Sequence, residues 1–216
     1  MLNANVINAL SGLLLLTSLL VIETKKPRQS AILYSFQSLI LVMIFLALAT
    51  LMGAPQLYLW AASAFITKVV LVPLILYLAL SKVDEMITSL STVSTPISII
   101  LAAVAVVISY TVVSQIKLKS AVEFMPALAI SVAHFFFGQI CIVTQRNIFK
   151  QILGFCLMEN GSHLTLALLA YHAPELVEIG IATDAVFAVI VLVFLAGQIY
   201  RRLHTLDSSE LKALKG

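Results

Sequence analysis

The stretch Ile148–Tyr171 reads IFKQILGFCLMENGSHLTLALLAY, and it has a carboxylate, Glu159, near the middle of a largely apolar run. Placing a charged side chain at the centre of a bilayer costs about 2.5–3.5 kcal/mol on insertion scales, so such a group indicates a function. His163 lies four residues later, one turn along the same helical face. Asp184 and Lys68 lie at similar depths in two other apolar stretches. Together these residues predict an intramembrane ionisable cluster on a proton or ion pathway.

The composition is typical of a polytopic membrane protein. Of the 216 residues, 61% are hydrophobic and only 11% are charged, whereas soluble domains have about 25% charged residues. The mean hydropathy is +1.08. The formal net charge of +3 comes mostly from residues at the ends of apolar stretches, a pattern that fits orientation in a lipid bilayer and provides no surface for nucleic acid.

The sequence has none of the common motifs for a bound cofactor or metal. It contains no phosphate-binding glycine loop, and no two histidines share a metal-binding spacing within one apolar stretch. Cys141 and Cys156 both fall inside apolar stretches, which predicts buried small side chains and no redox or metal role. We therefore expect no cofactor and no metal in this chain.

Seven apolar stretches are each long enough for one membrane crossing, which takes about 20 residues. They cover residues 4–22, 30–52, 57–80, 96–115, 121–144, 148–171 and 176–200. The predicted fold class is all-α, a polytopic membrane protein with about seven transmembrane helices. If the N-terminus is outside and the C-terminus inside, most basic residues lie inside, namely Lys25, Lys26, Arg28, Lys82, Arg146, Lys150, Arg201, Arg202, Lys212 and Lys215. Only Lys117 and Lys119 then lie outside, which predicts the N-out, C-in orientation.

Lys68 and His134 each have two interpretations at membrane depth. Lys68, in the middle of its stretch, should point into the bundle and need a carboxylate or water, either as half of a structural ion pair or as a proton carrier. His134 either carries protons or forms a hydrogen bond to a neighbouring helix. His163 can exchange a proton with Glu159 directly or through one water. The predicted proton path comprises Glu159, Asp184, His163, Lys68 and His134.

Two prolines and two polar segments complete the prediction. Pro73 and Pro126 fall inside predicted crossings, where a missing amide and a ring clash loosen a turn of the helix. Between two crossings, Ser81–Thr95 is expected to form a short interfacial helix and loop. After Arg201, the tail is expected to form a short amphipathic helix that docks on the protein, with Asp207 as its N-cap.

The last three crossings, residues 121–201, resemble the K-type subunit of respiratory complex I and the C-type subunit of Mrp cation antiporters. The resemblance rests on GFCLMEN at Gly154–Asn160 and on ATDA at Ala182–Ala185. In the complex I relatives, a glutamate stands where this chain has Cys156, and another stands where it has Asp184. The first carboxylate is therefore displaced by three residues, about one turn along nearly the same helical face. The second is shorter by one methylene.

Four further crossings in residues 1–120 precede that module, and residues 202–216 form a predicted cytoplasmic tail. With the run LMENGSH at Leu157–His163, the whole chain resembles the component E family of hydrogenase-4, membrane subunits of energy-converting formate hydrogenlyase complexes. The resemblance implies a subunit of the bacterial inner membrane that contributes to a proton or cation translocation path. It also implies links to antiporter-like membrane subunits, a membrane-anchor subunit and a nickel–iron hydrogenase arm, with catalysis and cofactors in those partners.

Other functions stay open beside this one. The chain is a purely structural membrane scaffold if its charges only form ion pairs between helices, or it is a subunit of an Mrp-type cation antiporter. An independent small-molecule transporter is less favoured, because the sequence shows no inverted repeat with broken helices.

Overall fold

The computed structural model describes residues 4–81, 91–115, 124–173 and 175–213, and within these ranges the chain is almost entirely helical. In chain order the helices are α1 (Ala4–Glu23), α2 (Pro27–Met52), α3 (Gln56–Ala64), a π-helical segment (Phe65–Leu71), α4 (Val72–Leu80), α5 (Thr95–Gln115), α6 (Met125–Thr144), α7 (Ile148–Leu169) and α8 (Glu175–Leu203). The third crossing is continuous through α3, the π-helical segment and α4, so seven helices of the described part are long and apolar enough to cross a membrane. The all-α prediction with seven crossings is confirmed, and the N-out, C-in orientation stays a prediction.

Helices α2 and α7 form the centre of the bundle. About 61% of the most apolar part of each is buried inside the chain, against 28% for α5 and 22% for α8. The outer helices therefore present wide apolar faces, as expected where lipid or other membrane subunits surround the chain. Cys141 and Cys156 are both buried in the apolar core, as predicted.

Glycines bring α6 and α7 into close contact. A methyl group on Gly161 of α7 would lie 2.8 Å from the Phe135 Cα atom and 2.9 Å from the Ser131 carbonyl oxygen, both on the α6 backbone. A methyl group on Gly138 of α6 would likewise overlap the backbone of Met158. Small residues allow helix backbones to approach closely in membranes, where packing is a main source of helix association. The contact fixes the rotation of α7, and with it the direction of Glu159.

The two prolines have different positions in their helices. Pro73 lies inside the third crossing, directly after the π-helical segment, as predicted. The prediction for Pro126 was wrong, because α6 begins only at Met125 and Pro126 therefore lies in its first turn. First-turn amides have no partner within a helix, so a proline there removes no hydrogen bond and its fixed φ favours helix initiation.

The residues after α8 dock on the beginning of α7. The Ile148 amide donates to the Leu206 carbonyl at 3.0 Å, and Leu206 is buried. Arg146 and Asp207 form the C-terminal ion pair, with 2.6 Å between Nη2 and Oδ2. The docked tail is confirmed, but within the described residues, which end at 213, its helix is a short 3₁₀ turn at Glu210–Ala213 rather than an amphipathic α-helix.

Several predictions fall on residues outside the described ranges. The interfacial helix expected in Ser81–Thr95 falls mostly on residues 82–90. Four of the basic residues counted for the orientation also lie outside the described residues, namely Lys82, Lys117, Lys119 and Lys215.

Candidate functional site

Lys68 lies at the centre of the π-helical segment, where the third crossing is locally widened. Pro73 has no amide to donate to the Val69 carbonyl, one turn earlier. Ser35 of α2 supplies the missing hydrogen bond, because its hydroxyl donates to that carbonyl at 2.6 Å. Single π-helical turns inside α-helices frequently occur at functional sites. The Lys68 side chain points into the bundle, as predicted, and is completely buried.

Lys68 and Glu159 form an ion pair across the bundle. Lys68 Nζ donates to Glu159 Oε1 at 2.6 Å, and the two side chains are 1% and 16% exposed. The structure thus supplies the carboxylate partner that a lysine at this depth needs. Removing one member of a buried pair leaves an uncompensated charge and typically costs about 3–5 kcal/mol. Moving one proton from Nζ to Oε1 instead gives a neutral pair, so the net charge of the site does not change.

Glu159 also borders a cleft of about 500 Å³ between α7 and α8. His163 and Asp184 line the same cleft, so three of the five predicted path residues face one space. Water occupies roughly 30 Å³ per molecule in the liquid, so the cleft has room for several waters beside these groups. Asp184 is exposed in the single chain. A carboxylate exposed at membrane depth needs water or a cation from another chain.

His163 is held in a fixed orientation beside this cleft. Its ring centroid lies 4.8 Å from that of Phe45 and 5.3 Å from that of Trp60. The imidazole is buried, except where it borders the cleft. These aromatic contacts leave the ring little freedom to rotate, so it stays one helical turn from Glu159.

His134 lies apart from the cleft and is bound on both ring nitrogens. Gln37 of α2 donates to its Nε2 at 3.1 Å, and its Nδ1 lies 2.9 Å from Ser18 Oγ of α1. Ser18 donates its own proton to the Leu14 carbonyl at 2.7 Å. An amide nitrogen only donates, so Nε2 accepts and Nδ1 donates. These bonds fix His134 as a neutral imidazole in one tautomer.

Sequence reasoning missed the neutral polar residues that surround this histidine. Asn160 Nδ2 donates to Gln37 Oε1 at 3.0 Å and to Ser38 Oγ at 3.2 Å, and all three residues are fully buried. The network ties α7 to α2, and through His134 it reaches α6 and α1. The available signal was the position of these polar residues inside apolar stretches, which the prediction weighed only for ionisable side chains.

Lys150 was counted among the basic residues that lie inside, and the structure places its side chain at the C-terminal end of α1. It is buried and donates to the Val21 carbonyl, to the Thr24 carbonyl at 3.0 Å and to Ser30 Oγ at 2.9 Å. The last carbonyls of a helix have no partner within it, and a cation satisfies them and the negative end of the helix dipole. Lys150 therefore caps the C-terminal end of α1.

Comparison with known proteins agrees with this architecture. A family model described as NADH-ubiquinone/plastoquinone oxidoreductase chain 4L matches residues 126–216. The chain is 54% identical over 211 residues to hydrogenase-4 component E of Escherichia coli strain K12, with 98% of both chains covered. The proteins of the same name from Escherichia coli O157:H7 and Shigella flexneri have the same identity and coverage. No solved structure matches.

The fold and these matches define the class as a multi-pass membrane subunit of a hydrogenase or complex I-like complex. Within that class, the chain belongs to the hydrogenase-4 component E family. The resemblance predicted from the motifs of the last three crossings is thereby confirmed. The division into residues 1–120, 121–201 and 202–216 stays a prediction.

Proposed function

We propose that this chain transfers protons at mid-membrane as a cofactor-free subunit of a formate hydrogenlyase type complex in the bacterial inner membrane. One observation carries the proposal: the buried ion pair of Lys68 and Glu159, 2.6 Å apart, opens through Glu159 onto a cleft that Asp184 also lines. A lysine and a carboxylate at this distance exchange a proton without any change in net charge. The adjoining cleft offers that proton a way out.

The transfer proceeds in steps that each involve neighbouring groups. The Lys68 ammonium gives a proton to the Glu159 carboxylate, which leaves a neutral amine and a carboxylic acid. Glu159 then passes the proton to water in the cleft, and His163 or Asp184 accepts it. A second proton, supplied by the partner subunits, then reprotonates the Lys68 amine and restores the charged pair. Because these sites are coupled, each holds its proton only while the charge of its neighbour favours it. Redox chemistry elsewhere in the complex would shift those occupancies electrostatically.

Of the two roles predicted for His134, proton carrier or hydrogen-bond partner of a neighbouring helix, the proposal assigns the second. Its hydrogen bonds lead through Ser18 to the Leu14 carbonyl, and a carbonyl cannot pass a proton onward. We therefore assign His134 as a positioning residue that holds α1, α2 and α6 around the site. In this proposal His134 contributes to the proton path only by keeping the Lys68–Glu159 pair in place.

The expected partners are antiporter-like membrane subunits, a membrane-anchor subunit and the nickel–iron hydrogenase arm of the same complex. The exposed Asp184 supports a neighbour on the α8 side, because a partner chain there would close the cleft and shield the carboxylate from hydrocarbon. We therefore treat this subunit as one part of a longer proton path that continues into its partner subunits.

The test replaces Glu159 with Gln and, separately, Asp184 with Asn in the assembled complex. Assembly is checked by native gel, and proton movement is then measured in sealed vesicles during turnover. We expect both variants to lose most proton movement. The matched control is Ser162→Ala, since Ser162 lines the same cleft but its hydroxyl donates only to the Met158 carbonyl of its own helix. That variant should move protons normally.

A structural scaffold is the second candidate function, and the polar network around Gln37 and Asn160 favours it. The double variant Lys68→Met with Glu159→Gln separates the two, because it removes both buried charges together and so avoids an uncompensated one. A scaffold should assemble and support normal proton movement with this double change. A relay should assemble but move no protons. Normal proton movement in the double variant would rule out the proposed relay.

A further inference from the structure

A second cleft, distinct from the one beside Glu159, lies where α8 reaches its last turns. It measures about 390 Å³ and is bounded by the end of α4, the beginning of α7 and the end of α8. Its part nearer the middle of the crossing is apolar and includes Val193 and Phe194 of α8. Its outer part contains the polar side chains Tyr200, Arg201 and His204. The cleft is therefore amphiphilic along the direction of the membrane crossing.

The polar end of this cleft is positively charged and has no acid to compensate it. None of the described residues that line it is acidic, and Arg201 forms no ion pair within the described part of the chain. The next acidic residue along the chain, Asp207, is engaged 2.6 Å from Arg146 in the C-terminal ion pair. The docked tail thus keeps this carboxylate on Arg146 and leaves the Arg201 guanidinium available at the cleft.

The chain turns at His204, directly after α8. This residue has a φ of 52°, in the left-handed region that non-glycine residues rarely adopt. Such a conformation persists only where the surroundings hold it. Here the His204 amide still donates to the Tyr200 carbonyl at 2.9 Å, while the next residues dock on α7. The turn places His204 beside Arg201 at the mouth of the cleft.

We propose that this cleft binds one anionic phospholipid. The phosphate would lie at Arg201 and His204, with the Tyr200 hydroxyl as a further donor, and an acyl chain would lie along Val193 and Phe194. The cleft lies at the end of α8 that the predicted orientation places inside, and basic pockets between helices on the cytoplasmic side suit anionic headgroups. An amphiphile matches both ends of the cleft, whereas a free anion would leave the apolar part unfilled. This inference does not depend on proton transfer by the subunit.

The test uses the assembled complex in nanodiscs of phosphatidylcholine that contain a trace of photoactivatable phosphatidylglycerol. We expect covalent labelling on peptides from residues 193–204, suppressed by unlabelled phosphatidylglycerol. Arg201→Gln should reduce this labelling about fivefold, as expected for one basic side chain at a membrane surface. Arg202→Gln is the matched control, since Arg202 is the adjacent exposed arginine and does not line the cleft. It should change the labelling little.

A second pair of variants tests the apolar end without changing charge. Gly197 lines the cleft, and a Cβ atom there would meet no atom within 4 Å, so Gly197→Leu fills the cleft without disturbing the backbone. Gly180→Leu on the same helix is its control, because a Cβ atom there also has open space. Only the Gly197 variant should lose labelling.

Three results would overturn the proposal. An equal loss of labelling in the Arg201 and Arg202 variants would mean that the lipid is attracted to the basic surface in general and not to this cleft. Absence of labelling on residues 193–204 would mean that another subunit covers the cleft. Suppression by inorganic phosphate, with no effect of Gly197→Leu, would mean a simple anion site.

Discussion

The ion pair between Lys68 and Glu159 should appear as a large coupling energy when the two residues are replaced singly and together. Each single change leaves one charge without its partner, at a typical cost of about 3–5 kcal/mol. Glu159→Gln should cost more than Lys68→Met, because the lysine it leaves behind is only 1% exposed whereas Glu159 is 16% exposed. The remaining carboxylate in Lys68→Met can reach water in the cleft or take a proton.

The double variant should be more stable than either single one. It retains only a neutral amide at the edge of the cleft, and an unsatisfied buried amide costs about 1–3 kcal/mol. The coupling energy should therefore lie at or above the upper end of the range of about 0.5–3 kcal/mol that is usual for residues in contact.

The single tryptophan of the chain provides the assay. Trp60 lies 5.3 Å from the His163 ring, close to the turn that contains Glu159. Its fluorescence during denaturant titration of the purified full chain reports unfolding for the wild type and the three variants. Ser162→Ala serves as a neighbouring change that should leave stability almost unaltered. If the changes in the free energy of unfolding of the two single variants sum to within about 0.5 kcal/mol of the change in the double variant, the two residues are not coupled and the reasoning fails.

Three further predictions concern packing, the tail and orientation. Gly161→Ala should destabilise the chain by about 1–3 kcal/mol, because its methyl group would overlap the α6 backbone. Gly12→Ala, a helical site with open space, should stabilise by about 0.5–1 kcal/mol in the same fluorescence titration. Partial burial raises the pKa of Asp207, but hydrogen bonds from Ser209 and the nearby Arg146 charge outweigh it and lower the pKa below 3.8. Because the pKa of Asp207 is lower in the folded state, its charge stabilises the docked tail at neutral pH, and this stabilisation is lost as the pH falls through the lowered pKa. Acid-active protease should therefore cleave the tail faster at strongly acidic pH, and Asp207→Asn should expose it at neutral pH. Topology reporters fused after Met52 and after Gly216 should report opposite faces, and signals from the same face would contradict the orientation.

The length and spacing of apolar stretches were enough to predict the helices, because each crossing must satisfy its own backbone within hydrocarbon. The sequence also indicated that Lys68 needs a carboxylate or water, but it did not say which carboxylate. That choice depends on the rotation of α7, which the contact at Gly161 sets, and on the π-helical segment that presents Lys68. Neither feature follows from local residue patterns alone. Pro73 signalled a loosened turn, whereas the Ser35 bond that stabilises it became visible only in three dimensions.

The ion pair joins two parts of the chain that differ in their resemblance to complex I. The matching family model covers residues 126–216, which include Glu159 but not Lys68. In the complex I relatives that this part resembles, the carboxylate stands at the position of Cys156, which is buried in the apolar core here. A carboxylate at Cys156 would lie one turn from Glu159, whereas Glu159 itself reaches Lys68 at 2.6 Å. Glu159 of the matched part and Lys68 of the preceding part therefore form one ion pair, so the N-terminal helices form part of the site.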